Sequence, residues 1–159
     1  MNNYGQEVAR LFGAALPAFR SLDEARSALF AERDARLVLM NRAASNSGVF
    51  RADSTPESLK KMEAWYFLLA ELDGFRALGM IREEFEGLMA TYFCHVAVAS
   101  RSTAEWHVEE FAFATGKYEI GVKRAPLKFM RRSFANHFER KANRTRTSIY
   151  REFNRYFPE

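Results

Sequence analysis

Cysteine is almost missing from this chain: Cys94 stands alone among 159 residues. An intrachain disulfide is therefore excluded, and nothing in the sequence points to an oxidising compartment. Long apolar runs are missing too. None approaches the roughly 20 residues that carry a helix across a bilayer, so no membrane partner is expected. The opening residues, MNNYGQEVARLF, have no basic start leading into an apolar stretch and do not read as a secretory signal. The simplest expectation is a cytoplasmic protein. Histidine is scarce, at three residues, and no His/Cys spacing of a metal site occurs. No Gly-rich loop leads into a helix, and no serine sits in a nucleophile elbow. The sequence therefore offers no catalytic residue, no cofactor site and no metal ligand, and an enzyme is not the expected reading.

Aromatic residues are plentiful instead, with fifteen Phe. Such a chain can build large core contacts, and a surplus can serve an interface. The net charge of +4 is unevenly spread. From Lys123 to Glu159 there are eleven Lys and Arg against three Glu, a net of +8. The first 122 residues carry thirteen bases and seventeen acids, a net of −4. A basic tail of this kind either meets an anionic partner or packs on its own acidic body.

The segment from Glu105 to Arg124 organises the rest, because it alternates apolar and polar residues as a β-hairpin does. Trp106 and Val108 share one face of the first arm. Tyr118, Ile120 and Val122 share one face of the second. Ala114-Thr115-Gly116-Lys117 supplies the turn. A lone hairpin is marginal in water, so its apolar face needs a cover from the flanking helices.

Helical spacing predicts those covers. Val8, Leu11, Phe12, Ala15 and Phe19 mark a first helix over about Asn3 to Arg20, with Pro17 near its end. Ser21 with Glu24 reads as a capping box for a second helix over about Leu22 to Ala44. Asp53-Ser54-Thr55-Pro56-Glu57 starts a third, with a stripe of Leu59, Met62, Trp65, Tyr66, Leu69 and Leu72. A fourth, from about Gly79 to Ala99, is apolar nearly all round in its second half, as a central helix is. Pro126 reads as the start of a basic helix with Leu127, Met130, Phe134 and Phe138 on one face. A last helix, capped by Asn143 or Thr145, lines up Ile149, Phe153 and Tyr156. Within the fourth helix, the run Tyr92 to Val98 is β-branched and aromatic enough to be ambiguous, and is where a third strand could be hidden. The expected class is α+β, mainly helical, with a small antiparallel hairpin packed against helices. No linker divides the chain, so one domain over 1–159 is expected: a helical part over 1–100, a hairpin over 104–124 and basic C-terminal helices over 126–157.

Candidate chemistry is sparse. Glu105, His107 and Glu109 share the outward face of the first arm, with Phe111 and Phe113, and Glu119 can lie opposite. Two carboxylates and an imidazole are the donors of a hard-metal or acid–base site, but the polar side of a half-buried hairpin carries charge in any case. Cys94 and His95 are helix neighbours about 100° apart and do not face each other, so a core cysteine and a hydrogen-bonded core histidine are expected. His137, beside Phe134 and Phe138, reads as the rim of a packed face.

From the third helix onward, four stretches stand in a recurring order: Glu63-Ala64-Trp65-Tyr66, Tyr92-Phe93-Cys94-His95, Glu105-Trp106 and Tyr118-Glu119-Ile120-Gly121-Val122, followed by Pro126. This order resembles a loose group of small bacterial proteins of unassigned function, some of them similar to immunity proteins of toxin competition systems. Those chains carry Gly-Glu where Cys94-His95 stands here. The resemblance implies a small α+β binding protein without catalytic residues.

The expected function is thus binding of another protein, such as a toxin, through Glu105, His107, Glu109, Phe111, Phe113 and Glu119, because aromatics bordered by charge are typical of interface centres. The alternative is nucleic-acid binding through Arg131, Arg132, Arg140, Lys141 and Arg144, where cations interleaved with aromatics suit phosphate contact and base stacking. The sequence does not specify an oligomeric state.

Overall fold

A computed structural model describes residues 13, 15–134, 137–139 and 147–159. Its helices are α1 (Leu22–Ser47), α2 (Ser58–Glu71), the short α3 (Gly74–Ala77), α4 (Arg82–Ser100) and α5 (Ser148–Tyr156). Its strands are β1 (Glu105–Glu110), β2 (Tyr118–Arg124) and β3 (Leu127–Met130), in the antiparallel order β1-β2-β3. Two 3₁₀ turns, Arg131–Phe134 and His137–Glu139, follow β3. The class is α+β and mainly helical.

The helix starts follow their local chemistry. Ser21 Oγ accepts from the Glu24 N–H at 3.1 Å and caps α1, while the Glu24 carboxylate reaches back to the Arg20 N–H at 3.0 Å. Gly48, at φ 70°, ends that helix in the left-handed conformation that glycine adopts without strain, three residues beyond the expected stop. Before α2, Asp53 accepts from the Thr55 N–H and hydroxyl, and Thr55 Oγ1 accepts from the Ser58 N–H.

The hairpin register pairs Trp106 with Val122 and Val108 with Ile120. Val108, Ile120 and Val122 are buried and Trp106 is half-buried. Ala25 and Leu29 of α1 pack with Val108, Tyr118 and Ile120. Val122 joins the larger core, which is centred on α4. Phe93 of α4 holds that core together. Its ring meets Phe129, Phe134, Phe153 and Phe157 at centroid distances of 5.0, 5.5, 5.5 and 6.2 Å. Burying such a ring stabilises by roughly 1.5–3 kcal/mol.

The expected fourth helix holds through its ambiguous stretch, and other expectations are corrected. Tyr92 to Val98 is helix, inside α4. Its apolar stripe continues from Phe85 at helical spacing, so packing overrides strand propensity. The third strand is instead Leu127–Met130, where a helix led by Pro126 was expected. Pro126 lies in the turn between β2 and β3, with a cis bond from Ala125. Pairing with β3 satisfies the second edge of β2, which would otherwise be left with unpaired backbone groups. Gly121 permits the close approach, since a Cβ there would fall 2.6 Å from the Cα of Met130. Among the described residues, the segment expected as basic C-terminal helices holds one α-helix, α5, with a strand and 3₁₀ turns before it. The proposed caps Asn143 and Thr145 lie outside the described residues. So does most of the helix expected over Asn3 to Arg20; Gly13 and Ala15 are helical, and from Pro17, where an early end was expected, the chain pairs with the hairpin instead. There the Tyr118 N–H donates to the Pro17 carbonyl at 3.1 Å and the Phe19 N–H to the Gly116 carbonyl at 2.9 Å.

Candidate functional site

Alternation along β1 puts Glu105, His107 and Glu109 on the outward face, as expected. His107 Nε2 lies 2.9 Å from Glu109 Oε2, and Lys128 Nζ donates to both Glu109 oxygens at 2.8 Å. Burial alone would raise the Glu109 carboxyl. The hydrogen bonds from Lys128 and His107 outweigh it and hold the group below its usual range. Glu109 stands directly opposite Glu119 across the ladder. Like charges so placed repel, and each has its own cation: Lys128 for Glu109 and Arg132 for Glu119, at 2.7 Å. Among the described residues, no group of three or more His, Cys, Asp or Glu is placed to hold a metal ion.

Two of the six expected contact residues are not on the surface. Phe111 is only 5% exposed. Arg132 lies over its ring at 5.0 Å, and a Cβ added to Gly13 would come within 3.2 Å of it. The segment before α1 and the turn after β3 therefore cover this ring. Glu119 is likewise 5% exposed, and its ion pair with Arg132 makes that burial tolerable. Glu105 and Phe113 remain exposed, with His107 and Glu109 half-buried beside them.

Phe113 sits at the hairpin tip, 58% exposed. The loop beneath it is closed by its own backbone. The Phe111 N–H donates to the Lys117 carbonyl at 2.7 Å, and the Ala114 N–H to the Phe111 carbonyl at 3.2 Å. Gly116 takes φ 78° and donates its N–H to the Glu110 carboxylate at 3.3 Å. Lys117 Nζ ties the tip to the Leu16 carbonyl at 3.1 Å. Phe113 meets Phe111 edge-on at 5.6 Å.

The basic residues expected to meet nucleic acid are only partly placed. Arg140, Lys141 and Arg144 lie outside the described residues. Arg131 and Arg132 turn inward. Arg131 Nη2 lies 2.5 Å from Glu32 Oε1 and its Nη1 donates to Thr91 Oγ1 at 3.3 Å, which leaves the side chain 15% exposed. Arg132 binds Glu119 through Nε and Nη2, at 2.7 and 3.4 Å. At these two positions the basic tail packs on the acidic body, which is the second of the two readings its charge allowed.

A family model described as the uncharacterised protein YwmA matches residues 18–157. The chain belongs to this YwmA family. The match takes in all three strands and α1 to α5. Its description assigns no activity and no immunity role. No curated protein and no solved structure matches the chain.

The remaining candidates are structural in their contacts. Cys94 is buried, and burial pushes its thiol up to about 12. His95 Nε2 lies 2.9 Å from Ser54 Oγ, and burial lowers its pKa, which favours the neutral ring. His137 Nε2 lies 3.0 Å from Ser148 Oγ, and its ring stacks on Phe134.

Glu63 enters the sequence reading only as the first residue of the Glu63–Tyr66 stretch, with no role of its own. Its carboxylate is fully buried and takes the place of a cap for α5, accepting from Ser148 Oγ at 2.5 Å, the Ser148 N–H at 3.2 Å and the Ile149 N–H at 3.1 Å. Burial pushes its pKa up, against those hydrogen bonds. A signal existed: Glu63 follows Leu59 by four positions and precedes Tyr66 by three, so it lies on the apolar face of α2. Arg36, unremarked in the sequence, lies 3.2 Å from Glu32 and donates to the Gly87 carbonyl at 3.3 Å.

Proposed function

We infer that this protein works by binding another protein, with the tip and outward face of the β1–β2 hairpin as the contact surface. The observation that carries this reading is Phe113, a large ring left 58% exposed on a tip fastened by backbone hydrogen bonds. A ring held in place before contact loses little conformational freedom on binding, so more of its burial appears as affinity. Aromatic anchors surrounded by polar residues are where interface energy concentrates. Glu105, His107, Glu109 and Lys128 supply such a rim. The contact set is therefore Phe113 with these four residues, without Phe111 and Glu119. In the narrower form of the proposal the partner is a toxin and the protein its inhibitor. That form draws on the resemblance of the Trp65-Tyr66, Trp106 and Tyr118–Val122 stretches to immunity-type chains.

The test is a photo-crosslinking amino acid at position 113, with a control at Val38, which is 55% exposed on α1. Irradiation in the native cell should give one discrete adduct from position 113 and none from position 38. Replacing Lys128 and Glu105 with Ala in the position-113 protein should weaken that adduct. The same products from both positions, or none from 113, would reject the surface.

A further inference from the structure

A second feature lies away from the hairpin tip. Between α1, α4, β2 and the 3₁₀ turn Arg131–Phe134 there is a cavity of about 240 Å³. At the roughly 30 Å³ that a water molecule occupies in the liquid, it has room for about eight waters, or a ligand of similar size. Its apolar wall includes Leu29, Ala90, Ile120 and Phe134, with Leu16 and Pro17 of the segment before α1 at its edge. Its polar wall carries three guanidinium groups, those of Arg36, Arg131 and Arg132.

The charges around that polar wall pair unevenly. Arg132 has Glu119, at 2.7 Å. Arg36 and Arg131 share one carboxylate oxygen, Glu32 Oε1, at 3.2 and 2.5 Å. That oxygen is buried and, despite both short contacts, meets neither guanidinium in hydrogen-bond geometry. Each guanidinium has five N–H donors, and Arg36 and Arg131 each direct one to a neutral acceptor, the Gly87 carbonyl and Thr91 Oγ1. Burial and the charge of Arg131 together lower the pKa of Arg36, against the pull of Glu32. Two half-buried cations thus face one poorly aligned carboxylate. The other carboxylates on the lining do not relieve them. Glu86 accepts from the Tyr66 hydroxyl at 2.7 Å, with Arg82 at 3.9 Å, and Glu83 is exposed at the rim.

We propose that this cavity binds a small organic monocarboxylate, with its carboxylate between Arg36 and Arg131 and its short apolar body against Leu29, Ala90, Ile120 and Phe134. The guanidinium forks match a planar carboxylate. Glu83 and Glu86 at the same mouth disfavour a multiply charged anion such as phosphate. A body of about eight to ten non-hydrogen atoms fills the volume, smaller than the occupants of cavities of 300–1,000 Å³. The proposal is independent of the hairpin surface: either can fail without the other.

The test titrates the full-length protein with benzoate, isovalerate and inorganic phosphate, following amide shifts of Gly87, Ala90 and Ile120 by NMR. Benzoate or isovalerate at millimolar concentration should give saturable shifts at all three, and phosphate should give none. Arg36→Gln should weaken benzoate binding at least about tenfold. Ala90→Met fills the apolar end without changing charge and should remove binding on its own. It therefore serves as the test even if Arg36→Gln fails to fold. Absence of saturable shifts with both carboxylates would overturn the proposal. Phosphate binding as tight as benzoate, or benzoate binding unchanged in Ala90→Met, would overturn it equally.

Discussion

Phe111 and Phe113 are two residues apart in the loop after β1 and meet edge-on at 5.6 Å between ring centroids, yet their exposures are 5% and 58%. Replacing each with Ala should separate core from surface. Phe111→Ala removes a ring enclosed by the Gly13 segment and the Arg132 guanidinium. Core Phe→Ala changes cost about 3–5 kcal/mol. For a chain of this length each kcal/mol lowers the melting temperature by about 2–4 °C, so a fall of roughly 6–20 °C is expected. Phe113→Ala loses mainly one edge contact, worth about 0.5–1.5 kcal/mol. The double mutant should show a coupling of that same order. The assay is urea unfolding followed by the fluorescence of Trp65 and Trp106, which are buried and half-buried. Equal costs for the two single mutants would refute the reasoning: two large losses would put Phe113 in the core, and two small ones would put Phe111 on the surface.

Further outcomes are expected elsewhere. The Glu109 carboxyl sits below its usual value of 4.5, so its contribution to stability is complete above that value and is lost as pH falls through the depressed one. Lys128→Met should therefore lower stability at neutral pH and lose this effect in acid, as measured by urea unfolding across the pH range. Glu63→Gln places an amide NH₂ against the Ser148 and Ile149 donors. It should cost about 1–3 kcal/mol and speed hydrogen exchange at those two amides before the amides of α4 are affected. Cys94, with its thiol buried and pushed up to about 12, should resist a thiol-specific disulfide reagent in the native protein and react promptly once it is unfolded.

The hairpin was legible because its pattern is local. Trp106 and Val108 alternate against Ile120 and Val122, and Gly116 supplies the turn. The central helix was legible because Phe85, Leu88, Tyr92 and their neighbours repeat at helical spacing. What was not legible depended on contacts distant in sequence. Leu127–Met130 is too short to display alternation, and a proline before it reads equally well as a helix start. Phe111 shares a face with charged residues, so alternation assigned it to water; Gly13 and Arg132, distant in sequence, lie against its ring. Arg131 and Arg132 look like a solvated basic face until Glu32 and Glu119 are brought against them. Glu63 was the exception, since its place on the apolar face of α2 could have been read directly.

The proposed contact surface depends on a hairpin tip that is already fixed before any partner arrives. The ¹⁵N order parameters of residues 112 to 117 in the isolated protein measure this directly. Values near 0.85, like those of rigid backbone, are expected, and values below about 0.6 would contradict a preformed aromatic anchor.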